Sequence, residues 1–254
     1  MLNYMKSEMY RAVKNRNLIL FMGACMGILF ALVMVLVYFT KDPKFPYATV
    51  KFALSNIYMS MSTMLLLTVA IAAIIDNNEY KNHTLKHSVS FGMKRIHIFL
   101  ARFIAMVLNA TIVYLIITGF FVLISGLFLQ QDDFFNQIMN LTRISLASFS
   151  CLVSGIAITY VFLLLIENPI TAAMWIVVVL TVLPRLMALL GMKVPLFARL
   201  NAYTPLICLS IGGEMITSTA TNVHAVLVSC LVGLGWTVAF LIVGAICFER
   251  IELK

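Results

Sequence analysis

An all-α, polytopic membrane fold with six transmembrane helices is predicted by three features: overall apolarity, the length of the apolar runs, and the confinement of charges between them. The chain is 62% hydrophobic and 11% charged, with a mean hydropathy of +1.02. So few polar side chains cannot cover a globular surface in water. Six runs approach or exceed the roughly 20 residues that a helix needs to cross a bilayer. They are Leu18–Phe39, Ile57–Ile75, Phe103–Leu129, Ile144–Ile166, Ile170–Leu190 and Val223–Phe248. Hydrocarbon offers the backbone no hydrogen-bond partners, so these runs must satisfy their own amides as helices. The alternating pattern of a membrane β-barrel is absent. We read residues 1–254 as a single transmembrane domain.

Residues 1–17 place Leu2, Met5, Met9, Ala12 and Val13 at helical spacing, with Lys6, Arg11 and Lys14 elsewhere around the axis. This predicts an N-terminal helix lying in the membrane interface. No cleavable leader is expected, because the first apolar run is long enough to span. On that run Gly23, Gly27 and Ala31 recur every four residues. Such a ridge of small residues lets two helices approach closely, within one chain or between two. On the second run Asn56, Ser60 and Thr63 share a helix face. They either line a polar path or bond across to neighbouring helices.

Only Glu167, Asn168 and Pro169 separate the fourth and fifth runs, which predicts a tight helical hairpin. Before the last span, residues 191–222 hold three charges, Lys193, Arg199 and Glu214, and are broken by Pro195, Pro205, Gly212 and Gly213. Short helices on, or dipping into, the outer membrane face fit this pattern, with a seventh, broken span as the alternative.

An even number of spans puts both termini on one side. That side would carry Lys6, Arg11, Lys14, Arg16, Lys81, Lys86, Lys94, Arg95, Arg102, Arg250 and Lys254. The opposite side has Lys41, Lys44, Lys51, Arg143, Arg185, Lys193 and Arg199, with the acidic pair Asp132 and Asp133. Eleven cations against seven favours cytoplasmic termini. The net charge of +8 is scattered among loops. It forms no stripe interleaved with aromatics, so it reads as topology signal and anionic-lipid contact rather than a nucleic-acid surface.

Little of the chain looks like chemistry. Cys25, Cys151, Cys208, Cys230 and Cys247 lack metal-ligand spacing and read as packing residues. His83 and His87 lie four residues apart but have no third ligand at matching spacing. No phosphate-cradling Gly-x-x-x-x-Gly-Lys-Ser/Thr loop is present, so any ATP used must be bound by another polypeptide. A stand-alone membrane enzyme, a channel-like protein and a peptide-binding immunity protein are the rival readings.

Residues 76–102 are the informative polar stretch. Glu79 is followed by Thr84, Leu85 and Lys86, then Ser88, Ser90, Gly92 and Arg95. This order resembles the cytoplasmic coupling segment of type-2 ABC exporter permeases, especially the small membrane subunits of Gram-positive bacitracin- and lantibiotic-resistance transporters. His83 departs from it, standing where many of those proteins have Gly. The resemblance implies a cytoplasmic ATPase in two copies, binding ATP and Mg, which docks on Glu79, Tyr80, Thr84, Leu85 and Lys86 and on Glu167 and Asn168. It implies a second membrane subunit, the same chain or a paralogue, that meets this one through the first and fifth spans, and makes residues 1–17 an elbow helix. By the same resemblance the chain holds no cofactor, catalyses nothing itself, and sits in a bacterial cytoplasmic membrane exporting an amphipathic or hydrophobic substrate, with antimicrobial peptides as candidates.

Overall fold

The computed structural model describes residues 2–39, 47–82, 95–130, 133–166, 168–209 and 223–250. Among these there is no strand, only one isolated bridge between Thr49 and Gln130. Helix α1 runs Leu2–Val13, α2 Arg16–Phe39, α3 Val50–Met59, α4 Met61–Asn82, α5 Arg95–Phe128 and α6 Phe134–Leu165. Then come α7 (Pro169–Val177), a π turn (Val178–Val182), α8 (Leu183–Gly191), α9 (Pro195–Ala202) and α10 (Val223–Arg250). Among the described residues five helical units are long and apolar enough to cross a membrane, and the bent pair α3–α4, counted as one span, gives a sixth. The chain is therefore an all-α polytopic membrane protein.

α6 is the central column. Two-thirds of its apolar window, 67%, is buried, against 11% for α2 and 17% for α10. A helix enclosed by other helices must satisfy its polar side chains locally. Ser154 Oγ accordingly donates to the Cys151 carbonyl at 2.7 Å, and Thr159 Oγ1 to the Gly155 carbonyl at 2.8 Å. The tightest contact is α6 against α10. A Cβ added at Gly233 would stand 2.4 Å from the Ser150 carbonyl carbon and 2.6 Å from the Cys151 nitrogen. Ser229, four residues before Gly233, accepts on its carbonyl from Ser150 Oγ and Cys151 Sγ, both at 3.3 Å.

An aromatic knot closes one end of the bundle, here called the base. The Tyr160 hydroxyl donates to the Phe99 carbonyl at 3.2 Å, and the Phe99 ring lies 5.1 Å from Tyr160 and 5.9 Å from Phe248. This ties α5, α6 and the end of α10 together. The α1–α2 corner is at the base as well. Asn15 Nδ2 donates to the Ile74 carbonyl at 3.3 Å while its Oδ1 accepts from the Asn17 N–H at 3.0 Å, capping α2. The first and last helices thus meet the bundle at one end, as an even span count requires.

Three expectations change in detail. α1 buries Glu8 and Ala12 and leaves Val13 68% exposed. Its inward face packs against α5 rather than facing lipid, and Val13 does not belong to it. The second span, expected as one helix from Ile57 to Ile75, is two helices bent by 62° at Ser60. Short polar side chains compete with the helix there: Ser55 Oγ and Asn56 Nδ2 both donate to the Phe52 carbonyl at 2.9 Å. The Ser60 N–H is shared between the carbonyls of Asn56 and Ile57, each at 3.1 Å. The fifth span, expected as a single helix over Ile170–Leu190, contains the π turn just before Pro184. Proline has no N–H to donate and its ring crowds the carbonyl four residues back, so one extra residue enters the turn.

At the opposite end, the top, the described part of residues 191–222 is broken into short helical pieces. Gly191 admits α9 against the end of α8, since a Cβ there would lie 2.9 Å from the Ala198 nitrogen. After α9 the chain turns back into the bundle. Trp236 Nε1 donates to the Tyr203 carbonyl at 2.8 Å and Ser62 Oγ to the Leu206 carbonyl at 3.3 Å. Counted along their helices at about 1.5 Å per residue, Trp236 and Ser62 each lie about 20 Å above the base. Residues 203–206 therefore sit inside the helical bundle rather than beyond its end. Their irregular backbone is met by protein groups, the condition under which such backbone is tolerated at that depth. The breaks at Gly212 and Gly213 lie outside the described residues.

Candidate functional site

Two surface features that a single chain leaves open are on α2 and on the α3–α4 break. In α2, Leu18 and Val33 are buried and Met22, Cys25, Leu29 and Leu36 are partly so. Gly27 is two residues from both Cys25 and Leu29, about 200° around the axis, which turns it almost directly away from the bundle. Gly23, Gly27 and Ala31 are all exposed, and among the described residues no atom lies within 4 Å of the position a Cβ would take at Gly23 or Gly27. Among the described residues, nothing packs on this ridge.

Small residues do pack inside the chain, but on α10. Ser229, Gly233 and Thr237 recur at four-residue spacing and all three are buried. This ridge carries the same sequence signal as Gly23, Gly27 and Ala31, and sequence reasoning passed over it.

At the break, Asn56, Ser60 and Thr63 are exposed, beside Met59 at 55% and Leu66 at 38%. Asn56 Nδ2 bonds the Phe52 carbonyl of its own helix rather than reaching another one. Counted from Ile75, beside the α1–α2 corner, the stretch Met61–Ile75 is about 22 Å long, and Ser60 stands at the break within the apolar length of the second span. Short polar side chains facing outward at that depth are unfavourable against lipid tails. They belong where protein or a water-filled space covers them.

Glu79 and Tyr80 occupy the last turn of α4, at the base. Asn168 caps α7, its Oδ1 accepting from the Ile170 N–H at 3.0 Å with Pro169 in the first turn, so the predicted hairpin boundary is where the chain turns. α7 follows α6 at the base, so Asn168 shares that end of the bundle with Glu79 and Tyr80. Thr84, Leu85, Lys86 and Glu167 lie outside the described residues, as do His83 and His87.

No group of three potential metal ligands occurs among the described residues. The thiols of Cys151, Cys208 and Cys230 donate to the carbonyls of Ser229, Ala202 and Ala147, which suits small packing residues. Among the internal spaces is a cavity of about 10 Å³ where the π turn meets Thr204, Pro205, Leu206 and Trp236. It has room for at most one water. No family model matches this chain, and no curated protein matches it. The fold and these surfaces define a multi-pass α-helical membrane protein.

Proposed function

We propose that this chain is the membrane-spanning subunit of an ABC exporter, in which two membrane subunits meet and an amphipathic or hydrophobic substrate passes between them. A separate cytoplasmic ATPase, two copies binding ATP and Mg, drives the cycle; this chain holds no cofactor and is not itself catalytic. The observation that carries the reading is the outward-facing polar set Asn56, Ser60 and Thr63 at membrane depth. Such a set calls for a polar neighbour that the described residues of one copy do not supply beyond the Phe52 carbonyl, which Asn56 bonds. The unpacked ridge of Gly23, Gly27 and Ala31 offers the close helix contact through which a second subunit would be held.

In this reading the base faces the cytoplasm of a bacterium, in keeping with the cation census. The ATPase docks at the base, on Glu79, Tyr80, Thr84, Leu85 and Lys86 and on Glu167 and Asn168, a role that the likeness of residues 76–102 to type-2 permeases supports. α1 is the elbow, packed beside α5 at the level of the headgroups.

The test is purification from the native host membrane followed by reconstitution. A cytoplasmic ATPase is expected to co-purify in fixed ratio, and its hydrolysis to rise with substrate. Glu79→Lys should abolish most of that rise while leaving insertion and yield unchanged. An isolated chain free of any ATPase, or normal stimulation in Glu79→Lys, would overturn respectively the exporter reading and the role of Glu79.

A further inference from the structure

The α8–α9 hairpin carries a surface that the exporter reading does not use. From Pro169 to Leu209 the chain holds three cations, Arg185, Lys193 and Arg199, and no Asp or Glu. All three cations are exposed. Between them stand large apolar side chains that are just as open: Leu189 at 61%, Met192 at 83% and Leu196 at 60%.

This surface is held, not loose. Gly191 brings α9 onto the end of α8, and the chain leaving α9 is bolted to α10 and α4 through the Tyr203 and Leu206 carbonyls. The hairpin therefore has one side fixed to the bundle and one side free, and the free side alternates positive charge with hydrocarbon.

Two environments fail to satisfy such a surface. Water leaves Leu189, Met192 and Leu196 uncovered, and lipid tails leave three cations unpaired. The boundary between headgroups and acyl chains satisfies both, with the cation stems lying along apolar surface and their heads rising to anionic groups. We propose that the α8–α9 hairpin binds an anionic phospholipid. Arg185, Lys193 and Arg199 hold its phosphate region, and Leu189, Met192 and Leu196 lie against its acyl chains.

Charge decides the occupant. A free phosphate would leave the leucines bare, and a cationic peptide would be repelled by all three side chains. A guanidinium matches a phosphate with paired N–H donors, which two of the three positions supply. The lipid contact does not depend on the exporter reading. With the base facing the cytoplasm, as proposed above, the hairpin lies in the outer leaflet, and reaction of a thiol placed at Met192 from outside sealed cells checks that orientation separately.

The full chain, reconstituted in phosphatidylcholine vesicles, would be exposed to a phosphatidylglycerol bearing a photoreactive headgroup, and labelled peptides mapped. Labelling is expected within the hairpin, displaced by unlabelled phosphatidylglycerol but not by phosphatidylcholine or inorganic phosphate. Each of Arg185→Gln, Lys193→Gln and Arg199→Gln should raise the phosphatidylglycerol needed for half-maximal labelling about fivefold. The pair Arg185→Lys and Arg199→Lys should keep most of the labelling, and an unchanged melting temperature shows that a Gln variant is still folded.

Three results would each overturn the proposal. They are equal displacement by the two lipids, displacement by inorganic phosphate, and labelled peptides that map outside the hairpin.

Discussion

Replacing Gly233 by Ala adds one methyl group where α10 crosses α6, and the geometry there leaves no room for it. The new carbon would stand 2.4 to 2.7 Å from the Ser150 carbonyl carbon, the Cys151 nitrogen and the Ser150 oxygen. Non-bonded carbons rest about 3.5 to 4.0 Å apart, so the helices must separate by about 1 Å. The obstructing atoms are backbone, and no side-chain rotation relieves the clash. That separation also takes the two 3.3 Å bonds to the Ser229 carbonyl beyond hydrogen-bonding range. Overpacking costs about 1–3 kcal/mol, and each interhelical bond adds about 0.6 kcal/mol. The better helix propensity of Ala returns up to about 1 kcal/mol. A net loss of about 1–3 kcal/mol is expected.

The reactivity of Cys151, a fully buried thiol, reports the separation directly during denaturant titration in mixed micelles. Gly23→Ala and Gly27→Ala are the controls, since nothing stands within 4 Å of either position. They should match the parent protein or exceed it by up to about 1 kcal/mol, the helix-propensity gain of Ala over Gly. If Gly233→Ala also matches it, with Cys151 equally protected, the α6–α10 contact is not as close as described and the packing account fails.

Gly27→Leu should leave the melting temperature of the single subunit unchanged yet abolish cross-linking between cysteines placed at Gly23 in paired subunits; unaltered pairing would remove the ridge from the assembly. At the base, Tyr160→Phe forfeits the bond to the Phe99 carbonyl and should cost about 1 kcal/mol. Tyr160→Ala empties a site that is 1% exposed and should cost about 3–5 kcal/mol; equal effects of the two, measured by thermal unfolding, would contradict the packing of the aromatic knot. Thiols placed at Met192 and at Val13, which are 83% and 68% exposed, should react with an impermeant reagent from opposite faces of the membrane. Labelling of both from one face, mapped by peptide so that native cysteines do not interfere, would falsify the topology.

The sequence by itself determined the solvent, the element type and the approximate spans. Apolar runs of that length have one solution in lipid, and its period and length are visible without any contact. It also located the hairpin at Asn168, because a cap followed by proline acts within one turn. Tertiary structure decided what depends on partners distant in the chain. The Gly23 ridge and the Ser229, Gly233 and Thr237 ridge carry the same four-residue pattern. Only the position of α6 reveals that one is filled by backbone and the other faces out.

The break at Ser60 was equally hidden. Asn56, Ser60 and Thr63 were legible as a polar face, but a polar face does not disclose whether its helix bends or which way it points. The inner contacts of α1 followed the same logic. Its amphipathic spacing suits lipid or protein alike, and it was α5, together with the reach of Asn15 to the Ile74 carbonyl, that settled the matter. Local chemistry sets what each segment can become, whereas the choice among equivalent faces is made by whatever packs against them, and that information is spread over the whole chain.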